Sequence, residues 1–204
     1  MTTERSSAGG AFDPAKLDVS RLRIVEHPDP VLRQRAEPVP AITDLVRALC
    51  DRMVEIMRAA DGIGLAAPQV GIPWRLFVVD VPPGEDRALE GTDDAPPSAT
   101  PGAVVYINPV LTRPRGEVVA GEEGCLSLPE IRGDVLRPSI ITITALDKQG
   151  VSFTRSASGL LARCWQHEND HLDGVLILDR MTQMSRLKNR STVRELEKRA
   201  ARGK

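Results

Sequence analysis

His167 and His171 stand four residues apart in the run His167-Glu168-Asn169-Asp170-His171. The run lies in a stretch, 158–173, whose apolar spacing and closing Gly174 predict a helix. Helical residues at i and i+4 sit one above the other on one face, so both imidazoles can converge on one metal ion. Glu168 is angularly offset from that pair and can reach a metal-bound water as general base. Two of the chain's three histidines fall in this run. No other segment ties so much chemistry to one predicted element.

A hydrolytic site of this kind needs a third protein ligand and leaves a fourth position to water. Three residues compete. Glu195 lies downstream, where zincin-type proteases take their third ligand, but in a basic tail with little chain left to fold back. Cys164 shares the metal face of the helix with Leu160, because 160, 164, 167 and 171 step by helical spacing. Cys125 is remote, in Glu122-Glu123-Gly124-Cys125-Leu126-Ser127, where Gly124 permits close backbone approach and a thiolate suits a borderline or soft divalent metal. Helix geometry alone does not choose between Cys164 and Cys125.

The rest of the composition is permissive. The 204 residues suit one domain with a sizeable core. The 27 Lys and Arg against 28 Asp and Glu leave no global field that announces nucleic acid or a membrane. Two Trp, one Tyr and three Phe predict an aliphatic core and argue against a base-stacking platform. Three cysteines do not make a disulfide framework in a chain this size, so reduced thiols and a cytoplasmic setting are expected. The amino terminus has no secretory h-region, and no run is apolar enough to span a membrane.

Residues 1–20 are small and polar and are expected to form a flexible extension. A helix is predicted over 43–60, capped by Thr43, with Leu45, Leu49, Met53 and Ile56 at helical spacing and Asp61-Gly62 as its stop. Cys50 reads there as a small buried residue. Strands are expected at 75–81, 104–107, 117–120 and 140–146, with a flexible Pro-rich insertion at 82–102. Residues 182–204 read as a basic helix or tail; from 186 onward, eight Lys and Arg against two Glu give a net charge of +6. The element order implies an α+β fold, short mostly antiparallel strands around a central metal-binding helix, with 21–181 as the catalytic domain.

Three separated blocks resemble the peptide deformylase family: Gly62-Ile63-Gly64-Leu65-Ala66-Ala67-Pro68-Gln69, then Glu123-Gly124-Cys125-Leu126-Ser127, then Gln166-His167-Glu168-Asn169-Asp170-His171-Leu172. Asp29-Pro30-Val31-Leu32-Arg33 is similar to the family's amino-terminal strand entry. The likeness spans about 22–179. It implies hydrolytic removal of the N-formyl group from the initiator methionine of nascent polypeptides, releasing formate. It makes Cys125, His167 and His171 the metal ligands and places Cys164 beside the metal. It implies Glu168 as general base and acid, with the Gln69 amide and the Leu126 N–H as donors to the formyl oxygen.

For substrate binding, Ile63, Leu160 and Cys164 are candidates for an apolar pocket and Gly64 for strand-like pairing with the peptide. Glu123 would position the ligand loop, Asp170 would orient a histidine or tie down a strand, and Arg132 would hold the downstream backbone. Gly121 stands where a larger residue is common in the family, and Trp165 is expected to pack on the sheet. A helix C-cap and tight turn would account for Gly62 but leave Gln69 without a job. The family commonly uses Fe²⁺, and Zn²⁺, Ni²⁺ or Co²⁺ are compatible substitutes. The basic tail suggests contact with ribosomal RNA. Two rivals stand beside this reading: a zinc endopeptidase using the same histidine pair, and a catalytically silent ribosome-associated metal protein.

Overall fold

The computed structural model describes residues 12–84 and 96–202. Helix α1 (Asp44–Ala59) begins where Thr43 accepts a hydrogen bond from the Val46 N–H, and it buries Val46, Leu49, Cys50, Met53, Ile56 and Met57. It ends differently from expectation. The residue in the left-handed conformation is Asp61 (φ 52°), not Gly62. A Cβ on Gly62 would lie 2.8 Å from Leu126 Cδ1, so this glycine serves close approach rather than the turn.

Five antiparallel strands follow in simple order: β1 (Gly64–Ala66), β2 (Leu76–Val79), β3 (Val104–Cys125), β4 (Leu128–Leu146) and β5 (Ser152–Ser158). The α+β class and the antiparallel pairing are as the sequence implies. The strands are not uniformly short. The separate segments expected at 104–107 and 117–120 belong to one 22-residue strand, and 140–146 is the end of a 19-residue one. Pro109 and Pro114 look like strand ends in sequence. The ladder instead passes them through register shifts between Ile107 and Val110 and between Thr112 and Arg115. Asn108 (φ 50°), Arg113 (φ 52°) and Gly116 (φ 77°) absorb the bends.

Helix α2 (Gly159–Leu172) lies against β1, β2, β4 and β5. Its first turn is held from outside: Pro97 and Ser98 carbonyls accept the Ser158 and Leu161 N–H groups. Those residues are the described end of the segment expected as a flexible insertion; 85–95 lie outside the described residues. Trp165 packs edge-on to Tyr106 at 5.5 Å, and Tyr106 stacks on Phe77 at 4.9 Å. Four of the six aromatics, Phe77, Tyr106, Phe153 and Trp165, thus gather beneath α2, while the core on the α1 side is aliphatic apart from Trp74 and Phe12.

Of the expected amino-terminal extension, 1–11 lie outside the described residues; Phe12 packs edge-on to Trp74 at 5.1 Å. Pro30–Arg33 forms a 3-10 turn capped by Asp29, where a strand entry was expected. After the short helix α3 (Ile177–Arg180), α4 (Gln183–Arg202) packs back on β4. Asn189 Nδ2 donates to the Arg132 carbonyl at 2.7 Å, Leu196 is buried, and Glu197 meets His27 Nε2 at 3.4 Å. No described helix is long and apolar enough to cross a membrane.

Candidate active site

The β3–β4 hairpin ends in a two-residue turn, Leu126-Ser127, with Cys125 pairing Leu128 across it. This turn is delivered onto the histidine face of α2, toward the helix's C-terminal end, where His167 and His171 are buried. The ligand atoms of Cys125, His167 and His171 all lie within 4.8 Å of one another. Cys125 Sγ is 3.3 Å from His171 Nε2, and the two rings meet edge to face. Cys164 is not part of this cluster. Its Sγ donates to the Ile63 carbonyl at 3.6 Å, and burial pushes its thiol well up, so it stays protonated. Glu195 lies on α4 beside Arg199, away from the histidines.

A thiolate and two imidazoles converging on one point is a donor set for a divalent transition metal. The two rings differ in proton affinity. Burial opposes a charge on His167, but hydrogen bonds to Cys125 and Glu123 outweigh it and raise its proton affinity. Burial, with His167 beside it, keeps His171 neutral. The convergence of one sulfur and two ring nitrogens is what carries the case for a cation. The residues fit a bound cation.

Glu168 projects into the same space. Its Oε2 is buried and finds no hydrogen-bond partner among the described residues. Burial pushes its carboxyl up to about 7, the range suited to exchanging protons near neutrality. Room for it comes from Gly64, where a Cβ would lie 2.4 Å from Glu168 Oε1 and 2.8 Å from Cys164 Sγ. Gln69 sits in a turn after β1 and is almost wholly buried. Its Oε1 accepts from the Ala66 N–H at 2.8 Å, which turns its amide NH₂ toward Ser127 Oγ (3.3 Å) and Cys125 Sγ (3.5 Å). The amide orientation is fixed by its neighbours, and the donor end faces the cluster.

A cleft of about 510 Å³ opens onto this arrangement. Ile63, Gly64, Leu126, Leu160, Cys164 and Arg132 all line it, with Gln69, Glu123, Cys125, His167 and Glu168. Arg132 is at the mouth, 71% exposed. The cleft thus gathers these residues beside the Cys125, His167 and His171 cluster, whereas Glu195 lies elsewhere and Trp165 packs in the core.

Behind the ligands lies a charge network that sequence reasoning missed. Arg137 grips Glu123 with two hydrogen bonds (2.7 and 2.9 Å) and reaches Asp170 Oδ2 at 2.7 Å. Glu123 Oε2 faces His167 Nδ1 at 3.0 Å, so it positions that ring as well as the hairpin. Arg137 and His167 overcome burial and hold the Glu123 carboxyl far below the usual carboxylate range. Asp170 touches no histidine; Arg137 and Arg180 take its oxygens, so of its two expected roles it ties down a strand. A signal for Arg137 existed: Ile131, Gly133, Val135 and Arg137 alternate with exposed Arg132, Asp134 and Leu136. An arginine on the inward side of such a strand demands a buried acid.

Comparison with known proteins adds to this geometry. Residues 21–187 match the family model described as "Polypeptide deformylase". The chain is 44% identical over 179 residues to the peptide deformylase of Opitutus terrae, covering 87% of this chain and 93% of that one. It is 46% identical over 175 residues to that of Rhizorhabdus wittichii, covering 86% and 93%. Among solved structures it is similar to the peptide deformylase of Thermotoga maritima, with a TM-score of 0.68, 40% identity and coverage of 79% and 97%.

Proposed function

The chain belongs to the polypeptide deformylase family, metal-dependent hydrolases that remove the N-formyl group from nascent peptides, and from that premise we propose how its residues do so. Cys125, His167 and His171 hold one divalent cation, Fe²⁺ in the cell, with Zn²⁺, Ni²⁺ or Co²⁺ as working substitutes. When bound, the cation supplies Lewis acidity, acidifying water and polarising the formyl carbonyl. Glu168 Oε2 takes a proton from the attacking water and passes it to the departing amine. The Gln69 amide and the Leu126 N–H donate to the charge that develops on the formyl oxygen. Ile63, Leu160 and Cys164 enclose the methionine side chain, Gly64 lets the peptide backbone approach β1, and Arg132 holds its downstream part.

The observation that carries this reading is the convergence of three ligand atoms beside an unpartnered, buried Glu168 oxygen at the wall of an open cleft. Formate release from formyl-Met-Ala-Ser tests it. Glu168→Ala is expected to abolish release while the protein keeps its metal; retained release would overturn the assignment of Glu168. Cleavage of unformylated internal peptide bonds would favour the endopeptidase reading instead.

The catalytic unit is 21–181, and its setting is the cytoplasm. Contact with ribosomal RNA is assigned to α4, which packs inward through Ser185, Asn189 and Leu196 and turns Arg186, Lys188, Arg190, Arg194 and Lys198 outward. Because α4 is packed on β4, charge reversal tests this better than deletion. Arg190→Glu with Arg194→Glu is expected to weaken salt-sensitive ribosome binding and leave formyl-peptide turnover intact. Unchanged ribosome binding would refute it.

A further inference from the structure

Arg163 has no part in the chemistry above, yet it is among the most fully engaged side chains near the site. It sits on α2 directly before Cys164 and one turn before His167. Its Nη1 donates to Glu123 Oε1 and to the Val135 carbonyl, both at 2.9 Å, and lies 3.5 Å from the Gly121 carbonyl. Its Nη2 donates to the Val119 carbonyl at 2.9 Å. The acceptors belong to β3 and β4, the two strands whose turn carries Cys125. One planar fork therefore fastens the thiol-bearing hairpin to the histidine-bearing helix.

The fork rests on Gly121. A Cβ there would lie 2.7 Å from Nη2, 2.8 Å from Cζ and 3.0 Å from Nε, so the guanidinium lies flat on the bare backbone. Gly121 does not occupy the left-handed region. Its missing side chain makes room rather than a turn. A guanidinium is rigid and its donors point in fixed directions, so it cannot retreat from a methyl group and keep all its acceptors. The contact also bears on a ligand. Arg163 and Arg137 together hold Glu123 Oε1, while Oε2, which also accepts from Arg137 Nη2 at 2.9 Å, faces His167 Nδ1.

We propose that Arg163 is a positioning residue for the deformylation reaction and that Gly121 is kept bare as its seat. The pair fixes the rotation of Glu123, through it the ring of His167, and sets how far Cys125 stands from the two histidines. This rests on the proposed assignment of Cys125, His167 and His171 as ligands.

The test uses Co²⁺-loaded protein, whose visible absorption reports the ligand arrangement independently of turnover. Gly121→Ala, Arg163→Leu and the double variant are compared for kcat, KM, Co²⁺ spectrum and melting temperature. Each single variant is expected to lower kcat about tenfold with KM little changed and to alter the Co²⁺ spectrum. The double variant is expected to be no worse than the poorer single, because both remove one contact. Losses that multiply in the double variant would overturn the proposal. So would Gly121→Ala with unchanged kcat and spectrum, or a lowered melting temperature alone, which would make Arg163 a staple of the fold. If Arg163→Leu does not fold, Arg163→Lys is read in its place. An ammonium cannot reach the same acceptors, so full kcat there would also refute the clamp. Cys125→Ala separates the two levels: undiminished Co²⁺ binding and an unchanged Co²⁺ spectrum there would mean that the ligand-site reading has failed, whatever Arg163 does.

Discussion

The two sides of α2 are built on opposite terms. Toward β4, every charged group is answered: Glu123 and Asp170 are shared among Arg137, Arg163 and Arg180. Toward the cleft, the polar atoms are left short. Glu168 Oε2 has no partner among the described residues, and Gln69 presents its amide to a thiol at 3.5 Å. A satisfied network is stiff, because any rotation breaks several charge-assisted hydrogen bonds at once. An unsatisfied group is reactive, because it gains by binding what arrives. The comparison teaches that the first region holds still so that the second can stay incomplete without collapsing.

The largest expected effect comes from the incomplete side. Glu168→Gln should lower the rate of formate release by about 10²–10⁴-fold, while thermal unfolding followed by circular dichroism is unchanged or slightly raised. A large loss of stability would show that Glu168 belongs to the satisfied side. The next comes from the network. Arg137→Met leaves Glu123 and Asp170 buried without their shared partner and should cost about 3–5 kcal/mol in a denaturant titration. A cost under about 1 kcal/mol would erase the distinction between the regions.

Gly64→Ala places a methyl group against Glu168 Oε1 and should reduce kcat/KM by about a hundredfold, the cost of a misplaced reacting group. The melting temperature should hardly move, and wild-type kinetics would show that Glu168 is not confined by β1. The smallest effect is chemical. Burial pushes the Cys50 thiol up to about 12, so iodoacetamide at neutral pH should leave it unmodified in the metal-loaded enzyme. Rapid labelling of Cys50, read by peptide mass, would mean that the α1 core opens far more than its packing implies.

How much of this was legible in the sequence follows the range of the interactions. The histidine face of α2, the cap at Thr43 and the apolar stripe of α1 depend on residues a turn apart, and the sequence displays them directly. The choice of Cys125 over Cys164 depends on where a hairpin lands, and only resemblance to a family supplied it. Arg137 went unread because its acids lie 14 and 33 residues away. The length of β3 went unread because Pro109 and Pro114 end strands in most settings, and nothing local announces that bulges will carry the ladder past them. Gly62 was assigned to a turn that Asp61 makes, because a close approach to Leu126 across the fold leaves no mark in the neighbouring residues.

The ligand turn is held by pieces from both ends of the chain. The His27 N–H donates to the Ser127 carbonyl at 2.9 Å, and the His27 ring meets Glu197 across a separation of 170 residues. The second contact closes a loop of 170 residues, whose entropy cost is offset only where the rest of the fold already holds its ends together. The segment under the turn is therefore made early but secured only after residue 197 has emerged. The turn that carries Cys125 is thus braced through His27 by α4, and a chain lacking α4 should hold that thiol more loosely.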